Sequence, residues 1–558
     1  MDLIVFEEGK TFVLNSFRKG KFDYVEVITQ VAEERFFKFL LSKKAIHHLG
    51  ATYPTPRMKE EVPRWAPIVS FMSLRLHGSA SFYTFPYIVR TGGLIDALGP
   101  EIASRKMDKE KRTLEIRCKG FNKKNHYPRK TPWDQDFLRK FARDTDPDEL
   151  TQWYNKEINW CVQEIIGFDK ERIFIGDASY IFIPNNKKYT GSSLLLFDEG
   201  DHPVDPEKVD WQKEKAKYRW RRCYQMVSII HINRKKQFFV VVALKIISGK
   251  ASPQPVLYEL VDNFVKRVGK RIMKKLILDR GFICGKKVSI CKKRLGVDVV
   301  IGVRSNMDIY DDTLRIAEGF KLDWKEYKEK EPQTNKEESL LRLPARLQKR
   351  ERARQETVAR KKKELEEKEG KPVTLVKTLV AGIHNFTIWQ ACKVPIHTVI
   401  SKEIYSDGHE EKWILATTER FSDPREVRED YKLRTTIEER HRQLKLFWDL
   451  AKFPSVCFNL VVNHVVTTVL TYSLLQMQVF AQFQGEINAF TLPQLERFLE
   501  PRADHIIIYY QQYFTFQTTY EYTELLLTLE EKPKAKILRR TRQLKRTMLN
   551  FVYSPRPP

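Results

Sequence analysis

The sequence predicts a mixed α/β fold: a central mixed sheet with flanking helices, interrupted by a β-rich insertion and bracketed by helical N- and C-terminal regions. Three observations predict it. Short apolar runs alternate with helical patterns between about residues 146 and 303. That alternation stops near Arg304, and strand-like patterns return before residue 420. An amphipathic helix, expected from about Glu426 to Lys452, then resumes the core. At 558 residues and 42% apolar content the chain has room for roughly three to four domains with substantial cores.

Residues 1–145 read as mostly helical and basic, with helical patterns at Val31–Leu41 and Pro67–Leu98. A basic loop dotted with aromatics follows, carrying Lys123, Lys124, Arg129 and Lys130 beside Phe121 and Tyr127. Such a loop can grip a DNA backbone, or simply be solvated. Asp146-Pro147 is an N-cap and first-turn pair for a helix running to Gly167. The apolar run Ile173-Phe-Ile-Gly-Asp177 predicts a buried strand. Gln225–Ile232 and Phe238–Ile247, joined through Asn-Arg-Lys, predict a hairpin. A helix over 254–268, a strand over 275–279, a short helix Cys284–Leu295 and a strand Val297–Val303 complete the first part of the core. Strand, hairpin, helix, strand, helix, strand is the order of an RNase H-like domain, with a five-stranded mixed sheet. Residues 304–420 are the expected β-rich insertion: a charged stretch, Lys321–Pro372, precedes strands at Phe386–Cys392, His397–Ile404 and Lys412–Thr418. Residues 421–455 return to the core. Residues 456–558 read as a helical region suited to dimerisation, ending in a basic tail around Lys534–Arg546.

The net charge of +27 makes a polyanion, and nucleic acid first, the expected partner. The seven cysteines are scattered without a Cys-x-x-Cys pair, which argues against a zinc ribbon and a disulfide framework. The opening MDLIVFEEGK lacks a signal-peptide pattern. The apolar stretch Val456–Phe483 is interrupted by Asn459, Asn463 and His464, and reads as a buried helix rather than a membrane span. The expected setting is the cytoplasm, beside DNA.

The stretch from Tyr431 to Lys445 has geometric spacing. With Tyr431 at zero, Arg434, Glu438 and Lys445 fall at roughly 300°, 340° and 320° on an α-helix. Leu433, Ile437, Leu444 and Trp448 fall at roughly 200°, 240°, 220° and 260°, an apolar stripe that can anchor the helix. Glu439 falls at roughly 80°, off the ridge, which favours Glu438 as the functional acid. A carboxylate among cations on a pinned helix suits metal-dependent phosphoryl chemistry on nucleic acid.

Asp177 and Asp279 each stand at the end of, or just after, an apolar strand. Two such carboxylates and a third from a facing helix can hold two divalent cations about 4 Å apart, one at the attacking oxygen and one at the leaving oxygen. Mg2+ fits because it takes hard carboxylate and phosphate oxygens. Taken singly, an Asp after a strand is more often a cap, a turn residue or a salt-bridge partner.

Together these residues resemble the DDE transposases of bacterial insertion sequences, in particular insertion-sequence family four. That family carries Tyr-x2-Arg-x3-Glu-x6-Lys around its last acid, and Tyr431, Arg434, Glu438 and Lys445 match each position. Asp177 lies in Ile-Gly-Asp-Ala-Ser and Asp279 in Leu-Asp-Arg-Gly-Phe, as in the family. Their separations are 102 (279 − 177) and 159 (438 − 279), the longer gap resembling the family's insertion. The resemblance covers about residues 150–485. It implies that Asp177, Asp279 and Glu438 bind two Mg2+ ions, with Mn2+ as substitute, and that Tyr431, Arg434 and Lys445 hold phosphates. It implies double-stranded DNA as partner, both terminal inverted repeats and target, with a homodimer pairing two ends and a hairpin intermediate. It also implies an insertion-domain Trp that receives an unstacked base, for which Trp413 is the candidate and Trp389 the alternative. An RNase H-like nuclease without strand transfer, and a catalytically silent DNA-binding protein, are the competing readings.

Overall fold

The computed structural model describes residues 7–29, 33–58, 64–76, 78, 81–82, 85, 103–108, 113–118, 135–214, 216–233, 238–328, 373–386, 389–483, 504–511 and 513–539. The chain divides into two compact units. One comprises Met1–Arg172, Asp177–Gly269 and Ile437–Pro558; the other comprises Ile173–Gly176 and Lys270–Thr436. The strand Ile173–Ile183 belongs to both, its first four residues lying in the second unit.

In the first unit, the helix Pro147–Ile165 begins as its sequence dictates. The Asp146 carboxylate accepts hydrogen bonds from the N–H groups of Asp148 and Glu149, both at 2.9 Å, and Pro147 opens the first turn. The expected hairpin is present and longer: Arg219–Asn233 runs antiparallel to Phe238–Ser248, with a bulge that skips Val242. Residues 234–237, the expected turn, lie outside the described residues. The helix covers the second hairpin strand with side chains that act as backbone partners. The Tyr154 hydroxyl donates to the Val241 carbonyl at 2.7 Å, and the Asn159 amide to the bulged Val242 carbonyl at 3.1 Å. Asn155 pairs with both backbone groups of Leu244, donating at 2.9 Å and accepting at 2.7 Å. A strand edge that would template aggregation is thereby closed. A strand not foreseen, Ser193–Phe197, pairs antiparallel with Arg219–Cys223.

The helix Phe458–Phe483 packs against Pro147–Ile165, Trp65–Leu76 and Phe238–Ser248. Its segment Phe458–Ala481 is long and apolar enough to cross a membrane, yet 89% of its most apolar window is buried inside the fold. Thr467, Thr468 and Thr471 return their hydroxyl protons to carbonyls one turn earlier, so these three buried hydroxyls are satisfied within the helix itself.

The terminal regions correct an expectation. The sequence predicts mostly helical termini, and helices are present, but the two regions also share a four-stranded sheet in the order Glu7–Glu8, Tyr513–Thr518, Asp504–Tyr510, Tyr24–Thr29. Its core joins Val13, Phe17 and Val25 to Ile506, Ile508 and Tyr522. The run His505-Ile-Ile-Ile-Tyr-Tyr is β-branched and aromatic, and suits a pleated surface better than a helix. Ala103–Asp108 and Thr113–Cys118 form a further antiparallel pair.

In the second unit, Ile173–Gly176 runs parallel to Lys275–Leu278, which runs parallel to Asp298–Gly302. Asp298–Gly302 then pairs antiparallel with Glu410–Thr417, with Val300 opposite Thr417. Ile396–Tyr405, Leu375–Phe386 and Lys325–Tyr327 follow outward. The strands expected as a separate insertion thus continue the core sheet, and a five-stranded count is too small. The expected strand Phe386–Cys392 is displaced: the actual strand ends at Phe386. Asn385 takes a left-handed φ of 57° at a register shift, and the Cys392 N–H closes a turn on the Trp389 carbonyl at 2.9 Å. Most of the charged stretch, residues 329–372, lies outside the described residues.

Asn155→Leu leaves two buried backbone groups of Leu244 without partners and is expected to cost about 2–4 kcal/mol. Asp146→Ala removes only an exposed cap, at about 1 kcal/mol. Denaturant melts of both variants check the order; equal losses would contradict it.

Candidate active site

Asp177 does not end its strand. The strand runs on to Ile183, and what ends at Gly176 is burial: Ile173–Gly176 are buried, whereas Asp177–Tyr180 are half-buried. In the first unit the Asp177 carboxylate faces His441, Oδ2 to Nδ1 at 4.0 Å. The other ring nitrogen of His441 meets the Ser228 hydroxyl at 2.9 Å, with both groups buried. Burial, and then the charge of Lys445, push the His441 imidazole down to about 3, so it is neutral at ordinary pH. Lys445 lies one turn further on. Burial lowers it below its ordinary value, against the pull of Asp201 and Asp177. Asp201 is itself ion-paired to Arg221, whose guanidinium lies 3.3 Å from the Phe182 ring centroid.

In the second unit Asp279 directly follows Leu278, whose register partner is Gly176. The turn reading of Asp279 holds in part: its Oδ2 caps the short helix Arg280–Phe282, accepting from Gly281 N–H at 3.4 Å. Its Oδ1 faces Arg434 at 3.6 Å. Arg304, which the sequence reading did not select, clamps the same turn, donating to the carbonyls of Arg280 at 3.1 Å and Gly281 at 3.3 Å.

The single helix expected over Glu426–Lys452 is two. Pro424–Lys432 ends and Arg434–Phe447 begins around Leu433. Leu433 N–H and Thr436 N–H bond three residues back, at 3.1 and 3.0 Å, and the Thr435 hydroxyl takes the Lys432 carbonyl at 2.9 Å. Adjacent threonines offering hydroxyls to the backbone tighten and break the helix there. The ridge therefore holds as one helical face only from Arg434 through Glu438 to Lys445. Tyr431 stands on the preceding helix, with the Arg434 guanidinium 5.9 Å from its ring centroid. Its hydroxyl lies over the strand end at Gly302, where a Cβ would come within 2.7 Å of it. Trp448, placed on the apolar stripe, lies past the helix and is buried.

Glu438 is exposed. Glu439 is committed elsewhere: its oxygens accept from Arg442 at 2.7 Å and Gln443 at 3.0 Å, and the Arg442 bonds hold it below the usual carboxylate range.

Trp413 is half-buried on Glu410–Thr417, not a core residue. Its indole N–H donates to Glu403 at 3.1 Å, Arg428 stacks 3.7 Å from its ring centroid, and Tyr431 is 6.1 Å away. Arg428 also binds Glu403 at 2.8 Å. Beside them a groove of about 450 Å³ is lined by Tyr327, Lys377, Arg428, Tyr431, Lys432 and Arg434, an aromatic and cationic wall suited to a nucleic-acid strand. Trp389 lies on the turn closed by Cys392. Lys123, Lys124, Arg129 and Lys130 lie outside the described residues.

Asp177, Asp279 and Glu438 offer only hard carboxylate oxygens, a donor set that fits Mg2+ or Mn2+. Among the described residues no group of three or more His, Cys, Asp or Glu stands ready to hold a metal ion. Of the residues that sequence reasoning missed, His441 alone carried a signal: it lies three residues after Glu438, on the same helical side. Ser228, Arg304 and Arg428 acquire their roles only through tertiary contacts.

The His441 shift makes a stability prediction. An unfolded imidazole titrates near 6.5 and the folded one near 3, so the unfolded chain binds the extra proton and stability falls as pH drops below about 6.5. From pH 7 to pH 5 this one group accounts for about 2 kcal/mol. His441→Gln is expected to lose that much less stability over the same interval in urea melts; an unchanged loss would contradict a buried neutral imidazole.

A search of curated proteins found no match. The model of the family described as "Transposase DDE domain" matches residues 171–474, more than half of the chain and a span that includes Asp177, Asp279 and Glu438. The chain belongs to the transposase DDE domain family.

Proposed function

We propose that this chain is a cut-and-paste transposase of the insertion-sequence family four type, which cleaves double-stranded DNA at terminal inverted repeats and joins the freed 3′ ends to target DNA. The observation that carries the reading is the strand register. Gly176 is opposite Leu278 in a parallel pair, and the next residue along each chain segment is an Asp: Asp177 within a strand that continues to Ile183, and Asp279 just past the carboxyl end of its strand. That is where open α/β sheets hold their ligands.

Asp177, Asp279 and Glu438 are the proposed ligands of two divalent cations. Bound there, such cations supply activation of the attacking oxygen and neutralisation of charge at the leaving oxygen. Arg434 faces Asp279 and is the proposed phosphate-holding cation beside it. Tyr431 lines the groove beside Arg434. Lys445, held at reduced basicity by burial, neutralises phosphate near Asp177. Cleavage and joining are each an in-line displacement at phosphorus, so one acidic set serves both. For a hairpin route, Trp413 is the proposed receiver of an unstacked base, with Arg428 leaving its ring face as the base arrives. Two protomers holding two ends form the proposed paired complex.

The test uses duplexes bearing the gene's own flanking DNA, with Mg2+ or Mn2+. Asp177→Ala, Asp279→Ala and Glu438→Ala are each expected to lose cleavage by at least about a thousandfold while binding the duplex nearly as tightly as the parent chain. Near-normal cutting by any one variant removes that residue from the set. Nicking without joined products supports a nuclease, and salt-sensitive binding without cleavage supports a silent DNA-binding protein.

A further inference from the structure

We propose that His441 is a positioning residue: anchored by Ser228, its imidazole sets the orientation of the Asp177 carboxylate for metal binding. The proposal rests on the reading of Asp177 as a metal ligand and goes beyond the family's acidic set and its Tyr, Arg and Lys.

Three observations carry it. His441 is buried, and a buried imidazole needs a partner for each nitrogen that would otherwise be orphaned. One nitrogen has Ser228, on the long strand Arg219–Asn233, at 2.9 Å. The other points at Asp177, on the strand Ile173–Ile183, at 4.0 Å. Ser228 is fully buried in an apolar strand, with Val227 and Ile229 on either side, so its hydroxyl has a clear use in fixing the ring. Assigning the hydroxyl as the donor to Nε2 puts the imidazole proton on Nδ1, the nitrogen 4.0 Å from the carboxylate. The contact is too long for a hydrogen bond as it stands; it supplies a directed dipole that favours one carboxylate orientation. A ligating carboxylate supported from behind binds its metal more tightly than one without that support. The placement of His441 one helical turn after Glu438 means that one rigid helix supplies both the proposed ligand and the strut for another.

A purely structural role predicts something else: loss of packing between the helix and the strand, with unchanged metal affinity in whatever folds. The experiment therefore measures Mn2+ binding by electron paramagnetic resonance, with no DNA present. The chains compared are the full-length parent, His441→Gln, Ser228→Ala and Asp177→Ala, alongside thermal melts. His441→Gln is expected to bind Mn2+ about 10- to 100-fold more weakly than the parent. Ser228→Ala keeps the imidazole but frees it, and is expected to weaken binding by less. Should His441→Gln fail to fold, Ser228→Ala alone carries the comparison. Parent-like Mn2+ affinity in a folded His441→Gln or Ser228→Ala chain overturns the proposal, as does a parent chain that binds no Mn2+. A parent that binds Mn2+ through Asp177 yet cuts no DNA would sink the transposase reading and leave the strut intact.

Discussion

The parallel pairing of Ile173–Gly176 with Lys275–Leu278 is the constraint on which the candidate chemistry depends. Parallel strands covered on both faces must be apolar throughout, and Ile173–Gly176 and Leu276–Leu278 are all buried. The first polar residue after each buried run is an aspartate. A one-residue slip in register would put one acid a strand step away from the end of the run. Lys275, at the start of its strand, is held by Asp430 and Glu419, an ion-paired anchor at the opposite end from Asp279.

Electrostatics then divides the acids by their neighbours. Asp177 faces a neutral imidazole and a buried ammonium, whereas Asp279 faces a guanidinium and a capped turn. The groove next to Arg434 and Tyr431 adds guanidinium, ammonium and aromatic faces within the second unit, the combination that holds backbone phosphates and unstacked bases.

Much of the core was legible because its signals are local. Asp146-Pro147 caps its helix, and Leu276–Leu278 and Val299–Ile301 are unbroken apolar runs, each preceded by a charged residue. The pairing of the terminal sheet was not legible, since Tyr24–Thr29 and Asp504–Tyr510 meet across almost the whole chain, although His505–Tyr510 carries a local β-branched and aromatic signal. The helix break at Leu433 was written in Thr435 and Thr436, whose hydroxyl bonds to the backbone outweigh an otherwise regular periodicity. The wheel put Glu438 with Arg434 and Lys445 correctly because these three share the second helix; Tyr431 reaches the neighbourhood by a different route, packing over Gly302. Partners such as Ser228 and Arg304 are ordinary residues in sequence and gain meaning only from the strands and turns they meet.

The most direct measurement is anomalous diffraction from crystals of the full chain grown with Mn2+ and cognate DNA. The expected result is manganese peaks about 2.1 Å from carboxylate oxygens of Asp177, Asp279 and Glu438 together. Manganese held elsewhere, or by one of the three acids without the others, would contradict a shared dication site.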